Sequence, residues 1–186
     1  MLQKISIYIL KLIGWKLENK LPAEKKHLII GAFHTSNWDL LLALLCFSAM
    51  KLKFNWIGKH TLFRWPFGLL FKAIGGIPVN RSIQTGFIHR IAELYHNNNA
   101  LIIAMSPEGT RSKTEHWRTG FYYIALEANI PIALAYVNYP EKKAGIGKYF
   151  MPSGNIQQDL EIIKKYYASK KGKYPDKQGD IKIKIQ

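Results

Sequence analysis

Leu2, Ile5, Ile9, Leu12 and Ile13 form an apolar stripe at helical spacing, flanked by Lys4, Lys11 and Lys16. After it, short apolar runs alternate with longer amphipathic ones. His27–Phe33 (HLIIGAF), Phe54–Gly58, Gly76–Asn80, Ala100–Met105 (ALIIAM) and Ile132–Tyr139 read as strands. Trp38–Met50 reads as a buried helix, and Phe87, Ile91, Leu94 and Tyr95 fall at i, i+4, i+7 and i+8 of an amphipathic one. Asn97–Asn99 stops that helix. Thr119–Asn129 and the stripe Ile156, Leu160, Ile163, Tyr167 supply two more. Alternating strand and helix imply an α/β fold: a mostly parallel central sheet flanked by helices. In such sheets, sites collect where loops leave the carboxyl ends of strands. Residues 34–39 and 106–112, the stretches with the most functional character, each follow a predicted strand.

A chain of 186 residues, 48% apolar, suffices for one domain with a sizeable core. Charge changes the picture more than size does. Lys and Arg number 27 against 12 Asp and Glu, a net +15. An anionic partner is expected: nucleic acid, a membrane surface or a phosphorylated substrate. All five arginines (Arg64, Arg81, Arg90, Arg111, Arg118) lie in the middle third, whereas eight lysines crowd between Lys164 and Lys184. Arg grips phosphate through a planar fork and Lys acts as a mobile point charge. Specific anion chemistry is therefore expected in the middle and diffuse attraction, or a solvated lysine face, at the tail. The longest apolar run, Leu40–Met50, has 11 residues, short of the ~20 that span a bilayer. Lys11 interrupts the N-terminal run and no small-residue cleavage site follows, which argues against a secretory signal.

Two constellations carry candidate chemistry. In His34-Thr-Ser-Asn-Trp-Asp39 a continuous helix would set the His and Asp about 140° apart. They meet only if His34 stays in a loop and Asp39 opens the next helix. A carboxylate near an imidazole fixes its tautomer and raises its basicity, which makes a general base. The same residues also fit plain helix capping, Ser36-x-x-Asp39 before an apolar run. In Ser106-Pro-Glu-Gly-Thr-Arg-Ser112, Pro107 and Gly109 force a turn whose backbone N–H groups can face an anion. Arg111 can grip phosphate oxygens, and Glu108 can orient Arg111 or a substrate hydroxyl. The bland alternative is a strand-to-helix turn. Gly75-Gly-Ile-Pro-Val-Asn-Arg81 adds a glycine pair and another arginine, or simply a tight turn into an edge strand. Lys59 offers a further cation before the apolar stretch Pro66–Phe71. There is no GxSxG, HExxH, CxxC or GxxxxGK[ST] motif. The lone Cys46, inside an apolar helix, excludes a disulfide framework and reads as core.

In this order the segments resemble the glycerolipid acyltransferase superfamily, whose type members are the 1-acylglycerol-3-phosphate (lysophosphatidic acid) acyltransferases. Its H-x4-D motif is matched by His34 and Asp39, its glycine-rich turn by GGIPVNR, and its PEGTRS motif by residues 107–112, with Ser106 where the family usually has Phe. Pro131 leads the apolar strand IPIALAYV, and Lys59, Leu62 and Pro66 match an intervening Lys-x-x-Leu-x-x-x-Pro pattern. H-x4-D alone is a weak signal; with PEGTRS about 70 residues later it is specific.

The resemblance implies catalysis by His34 as general base, held by Asp39. It implies substrate binding by Lys59, Arg81, Glu108, Gly109, Thr110 and Arg111. It also implies a lysophospholipid acceptor, an acyl-CoA or acyl-carrier-protein donor, and no cofactor or metal. Another lysophospholipid or an amino-acid lipid is the alternative acceptor. A nucleic-acid-binding module is the rival class, but no recognition pattern for one is present and aromatics do not interleave with the basic tail. Residues 1–20 are expected to form an interfacial amphipathic segment and 21–186 the catalytic domain. The lysine-flanked stripe suits a helix lying in an anionic bilayer surface, and equally a helix packed on the core. The first reading implies a cytoplasmic enzyme peripheral to the inner membrane.

Overall fold

The computed structural model describes residues 2–79, 86–110 and 112–184. Among these lie seven strands: β1 (Lys16–Asn19), β2 (Lys26–Gly31), β3 (Asn55–Lys59), β4 (Gly76–Val79), β5 (Leu101–Met105), β6 (Ile132–Asn138) and β7 (Lys143–Phe150). With them go six α-helices: α1 (Leu2–Leu12), α2 (Trp38–Ala49), α3 (Gly68–Ala73), α4 (Phe87–His96), α5 (Gly120–Glu127) and α6 (Ile156–Tyr167). The strands make one sheet in the order β1-β7-β6-β2-β5-β3-β4. β6 and β7 are antiparallel; the other neighbouring pairs are parallel. The expected α/β architecture, a mostly parallel sheet flanked by helices, is what forms.

β2 shows why its sequence is an unbroken apolar run. Leu28 and Ile30 point into the core shared with α4, α5 and α6, while Ile29 packs on the opposite face with Phe47 of α2. A strand covered on both faces has no polar side to alternate with. The N-terminal helix divides its residues between two environments. Ser6 and Leu10 are buried, Ser6 Oγ donates to Ser48 Oγ at 2.9 Å and Gln3 Nε2 donates to the Ala49 carbonyl at 3.0 Å. The foreseen stripe lies on the other side, with Leu2, Ile5, Leu12 and Ile13 exposed and Ile9 half-buried. Residues 16–19 are the edge strand of the common sheet, paired with β7.

β4 is the opposite edge, entered through the tight turn anticipated at the glycine pair. Gly75 has φ +81°, and a Cβ there would lie 2.6 Å from the Phe54 carbonyl oxygen, so only glycine fits. Asn80 and Arg81, which follow, lie outside the described residues.

Candidate active site

β2 and β5 are parallel neighbours, so the loops after both leave the same sheet edge. Their chains then part. α2 packs on one face of the sheet and α5 on the other, which opens a crevice between the two loops. The His34 loop and the 106–110 turn meet there. The His34 main-chain N–H donates to Glu108 Oε2 at 2.7 Å.

Asp39 stands in the first turn of α2, 1% exposed. Its Oδ2 accepts from the N–H groups of Thr35 (2.8 Å) and Ser36 (2.7 Å), and its Oδ1 from the Tyr139 hydroxyl at 2.7 Å. Ser36 Oγ accepts from the Trp38 N–H at 3.2 Å. The capping arrangement read from Ser36-x-x-Asp39 is therefore present. It folds the very loop that carries His34. Histidine in the loop and aspartate opening the helix is the arrangement the spacing required.

Glu108 is 5% exposed. Burial raises its pKa to about 7; the Asp39 charge adds to this, while the His34 N–H opposes it. Gly109, at φ +67°, turns the chain, and its N–H donates to the Ser106 carbonyl at 3.3 Å. Thr110 Oγ1 accepts from the Ser112 N–H at 3.2 Å. Lys59 ends β3 opposite Val79 of β4, at the sheet edge where β2 leads into the His34 loop. Arg111, like Arg81, is outside the described residues. Cys46 is buried among apolar side chains and its thiol is pushed up to about 12, so it is core.

A cleft of about 2330 Å³ opens at this edge and includes His34, Asp39, Gly109 and Thr110 in its lining. Its wall between α2 and α3 is apolar and aromatic: Phe47, Phe54, Trp56, Phe71 and Ile74.

A family model for acyltransferases matches residues 15–137, the stretch that holds every motif segment named above. The chain belongs to the acyltransferase family. The fold is also that of a solved relative of the glycerolipid acyltransferase superfamily, the 1-acyl-sn-glycerophosphate (LPA) acyltransferase PlsC from Thermotoga maritima. The TM-score is 0.60 at 14% identity, over 90% of this chain and 75% of that one. No curated protein gives a significant match.

In this acyltransferase several residues meet the site that no motif announced. Tyr139 holds Asp39 from 100 positions away. Tyr174 donates its N–H to Thr35 Oγ1 at 3.3 Å. The Trp117 N–H donates to the Lys182 carbonyl at 2.7 Å, in a segment that runs parallel to Ile183. Arg118 lies against Gly109. Of these only Arg118 left a trace in sequence, as one of the clustered arginines.

Proposed function

We propose that this acyltransferase moves a fatty acyl group from a thioester, acyl-CoA or acyl-carrier protein, to the hydroxyl of a lysophospholipid such as 1-acylglycerol 3-phosphate. One observation carries the reading: His34 is pinned by Glu108 and by the Asp39-capped loop at the mouth of an apolar cleft. His34 takes the proton as the acceptor hydroxyl oxygen attacks the thioester carbonyl. The new C–O ester bond forms, the C–S bond breaks, and the leaving thiolate takes the proton back from the imidazolium. Asp39 holds the loop and its negative charge favours the imidazolium. The apolar wall receives an acyl chain. Arg111 with Gly109 and Thr110, assisted by Arg81 and Lys59, seats the acceptor phosphate, and Glu108 fixes the loop from below.

The test is to incubate the pure protein with labelled acyl-CoA and a panel of lysolipids and to read the products by mass spectrometry. Acylation of lysophosphatidate above the other lysolipids is expected. His34→Ala should lose roughly 10²–10⁴ in rate while remaining folded. A variant with near-wild-type turnover would remove this mechanism. Preferential acylation of an amino-acid lipid would replace the acceptor but leave the chemistry.

A further inference from the structure

Gly109 does more than turn the chain. A Cβ at this position would lie 3.0 Å from Nε, 3.4 Å from Cδ and 3.4 Å from Cζ of Arg118. The Arg118 side chain therefore lies directly on the turn, over the face that Gly109 leaves without a side chain. Its main-chain N–H donates to the Pro107 carbonyl at 2.9 Å, so its backbone is tied to the same turn that its side chain overlies. The same turn carries Glu108, which holds His34. Arg118 and His34 both line the cleft.

Among the described residues no carboxylate pairs with this guanidinium; the ion pairs there are made by Lys20, His89, Lys143, Lys164 and Lys182. Glu115 also lines the cleft without pairing to it. Two further donors in the lining have no acceptor. Trp117, next in sequence and 2% exposed, has an unpartnered indole N–H, and the Ser106 hydroxyl is buried and unpartnered as well. Buried donors ordinarily find acceptors. The exposed guanidinium thus lines the cleft beside these two donors with no carboxylate of the described residues to neutralise it, which leaves its fork available to an anionic group of a substrate.

We infer that Arg118 is a phosphate-binding residue, holding a phosphate group of a substrate in its planar fork beside His34. This rests on the acyl-transfer reading and adds to it a residue that no motif assigns. The phosphate belongs to the acceptor headgroup or to the donor's coenzyme. Both present the same oxygens, and the experiment separates them.

Steady-state kinetics are measured for wild type, Arg118→Ala and Arg118→Lys. The acceptor is lysophosphatidate or monoacylglycerol, which lacks the phosphate. The donor is acyl-CoA or the acyl thioester of N-acetylcysteamine, which also lacks it. Arg118 is exposed, so both variants should keep the wild-type circular dichroism. Arg118→Ala should raise KM for the phosphate-bearing substrate about ten- to hundredfold and leave its phosphate-free counterpart nearly unchanged. Arg118→Lys should recover only part, because it lacks the fork. Discrimination lost on the acceptor side assigns the headgroup; discrimination lost on the donor side assigns the coenzyme. Equal losses with all substrates, or unchanged kinetics, overturn the inference. Binding of glycerol 3-phosphate and of CoA, followed by protein NMR shifts, gives a readout independent of turnover. If wild type and Arg118→Ala bind both equally, the inference fails even where the acyl-transfer reading stands. If wild type binds one of them through Arg118 but acylates no lysolipid, the acyl-transfer reading fails instead.

Discussion

Both carboxylate oxygens of Asp39 are engaged, Oδ2 by two main-chain N–H groups and Oδ1 by the Tyr139 hydroxyl. Tyr139 is thus a positioning residue: it touches the carboxylate that shapes the His34 loop. Tyr139→Phe removes one hydrogen bond to a charged group, a loss of about 1.5–3 kcal/mol. The expected outcome is a fall in kcat of about tenfold or more with KM changed little, and a displaced pH–rate profile. A parallel change in KM alone would assign Tyr139 to substrate binding. Glu108 makes a second prediction. Its pKa is raised from 4.5 to about 7, chiefly by burial. Below pH 4.5 the carboxyl is protonated whether the chain is folded or unfolded, and the associated stability is fully present. As pH rises from there towards 7, the unfolded chain releases the proton and the native one keeps it. Stability falls across this window by roughly 3 kcal/mol. Glu108→Gln cannot titrate, so the variant should lack this part of the decline. Urea unfolding at pH 5 and pH 8 measures it, and identical pH dependence in the two proteins would contradict the assignment.

At the scale of elements, the C-terminal segment binds the site together. It lies beyond residues 15–137 that the family model covers. It ties to the His34 loop through the Tyr174 N–H and to the 112–118 stretch through the Trp117–Lys182 bond. Gln178 closes it on itself, accepting from the Gly172 N–H at 3.0 Å and donating to the Lys170 carbonyl at 3.3 Å. Gly179 is buried where a Cβ would collide with the Thr114 carbonyl. Gly179→Ala should push this strap off the 112–118 stretch, cost about 1–3 kcal/mol, and speed exchange of the Trp117 amide. Unchanged protection of that amide would show that the strap is not held there. None of this was legible in the sequence, because main-chain donors and single glycines carry no periodic signal. The helices with apolar spacing and the strands β2, β5 and β6, covered on both faces, were legible for the opposite reason. β7 was missed because Gly145 and Gly147 interrupt its apolar pattern, where a Cβ would strike the Glu18 carbonyl or the side chains of Tyr166 and Glu18. β1 has only four residues, KLEN, too few to show alternation. α3 was hidden inside the apolar stretch after Pro66. The H-x4-D and PEGTRS segments were readable because their residue types are constrained by chemistry. Tyr139 reaches the same site by folding alone.

For the whole molecule, most of the large exposed apolar residues lie on α1, on α2 and between Trp65 and Ile74. Leu40 and Leu44 of α2 and Ile74 after α3 are exposed and also line the cleft. Outside it, Leu2 and Leu12 of α1 are each 72% exposed, Trp65 is 92% and Leu69 is 81%. No helix among the described residues is long and apolar enough to cross a membrane. These side chains suit shallow insertion into a bilayer surface, with the net +15 charge attracting anionic lipid. A cleft mouth resting on lipid would let an acyl chain pass into the enzyme without crossing water. Attachment should have two separable parts. The charge part weakens with salt, since exposed charges are screened over ~10 Å at 0.1 M ionic strength. The apolar part persists at high salt, because burial of Leu and Trp side chains, about 1.5–3 kcal/mol for a Leu, does not depend on screening. Leu2→Asp with Leu12→Asp, and separately Trp65→Ala with Leu69→Asp, should each release the protein from vesicles of anionic phospholipid at high salt. None of the four residues lines the cleft, so activity on a short-chain, water-soluble acceptor should survive while activity on bilayer substrate falls. Co-sedimentation with such vesicles at two salt concentrations is the measurement. If both double variants sediment like wild type at high salt, these patches are not the anchor. If only one is released, the other patch serves a different contact, and the membrane-facing side of the molecule is thereby fixed.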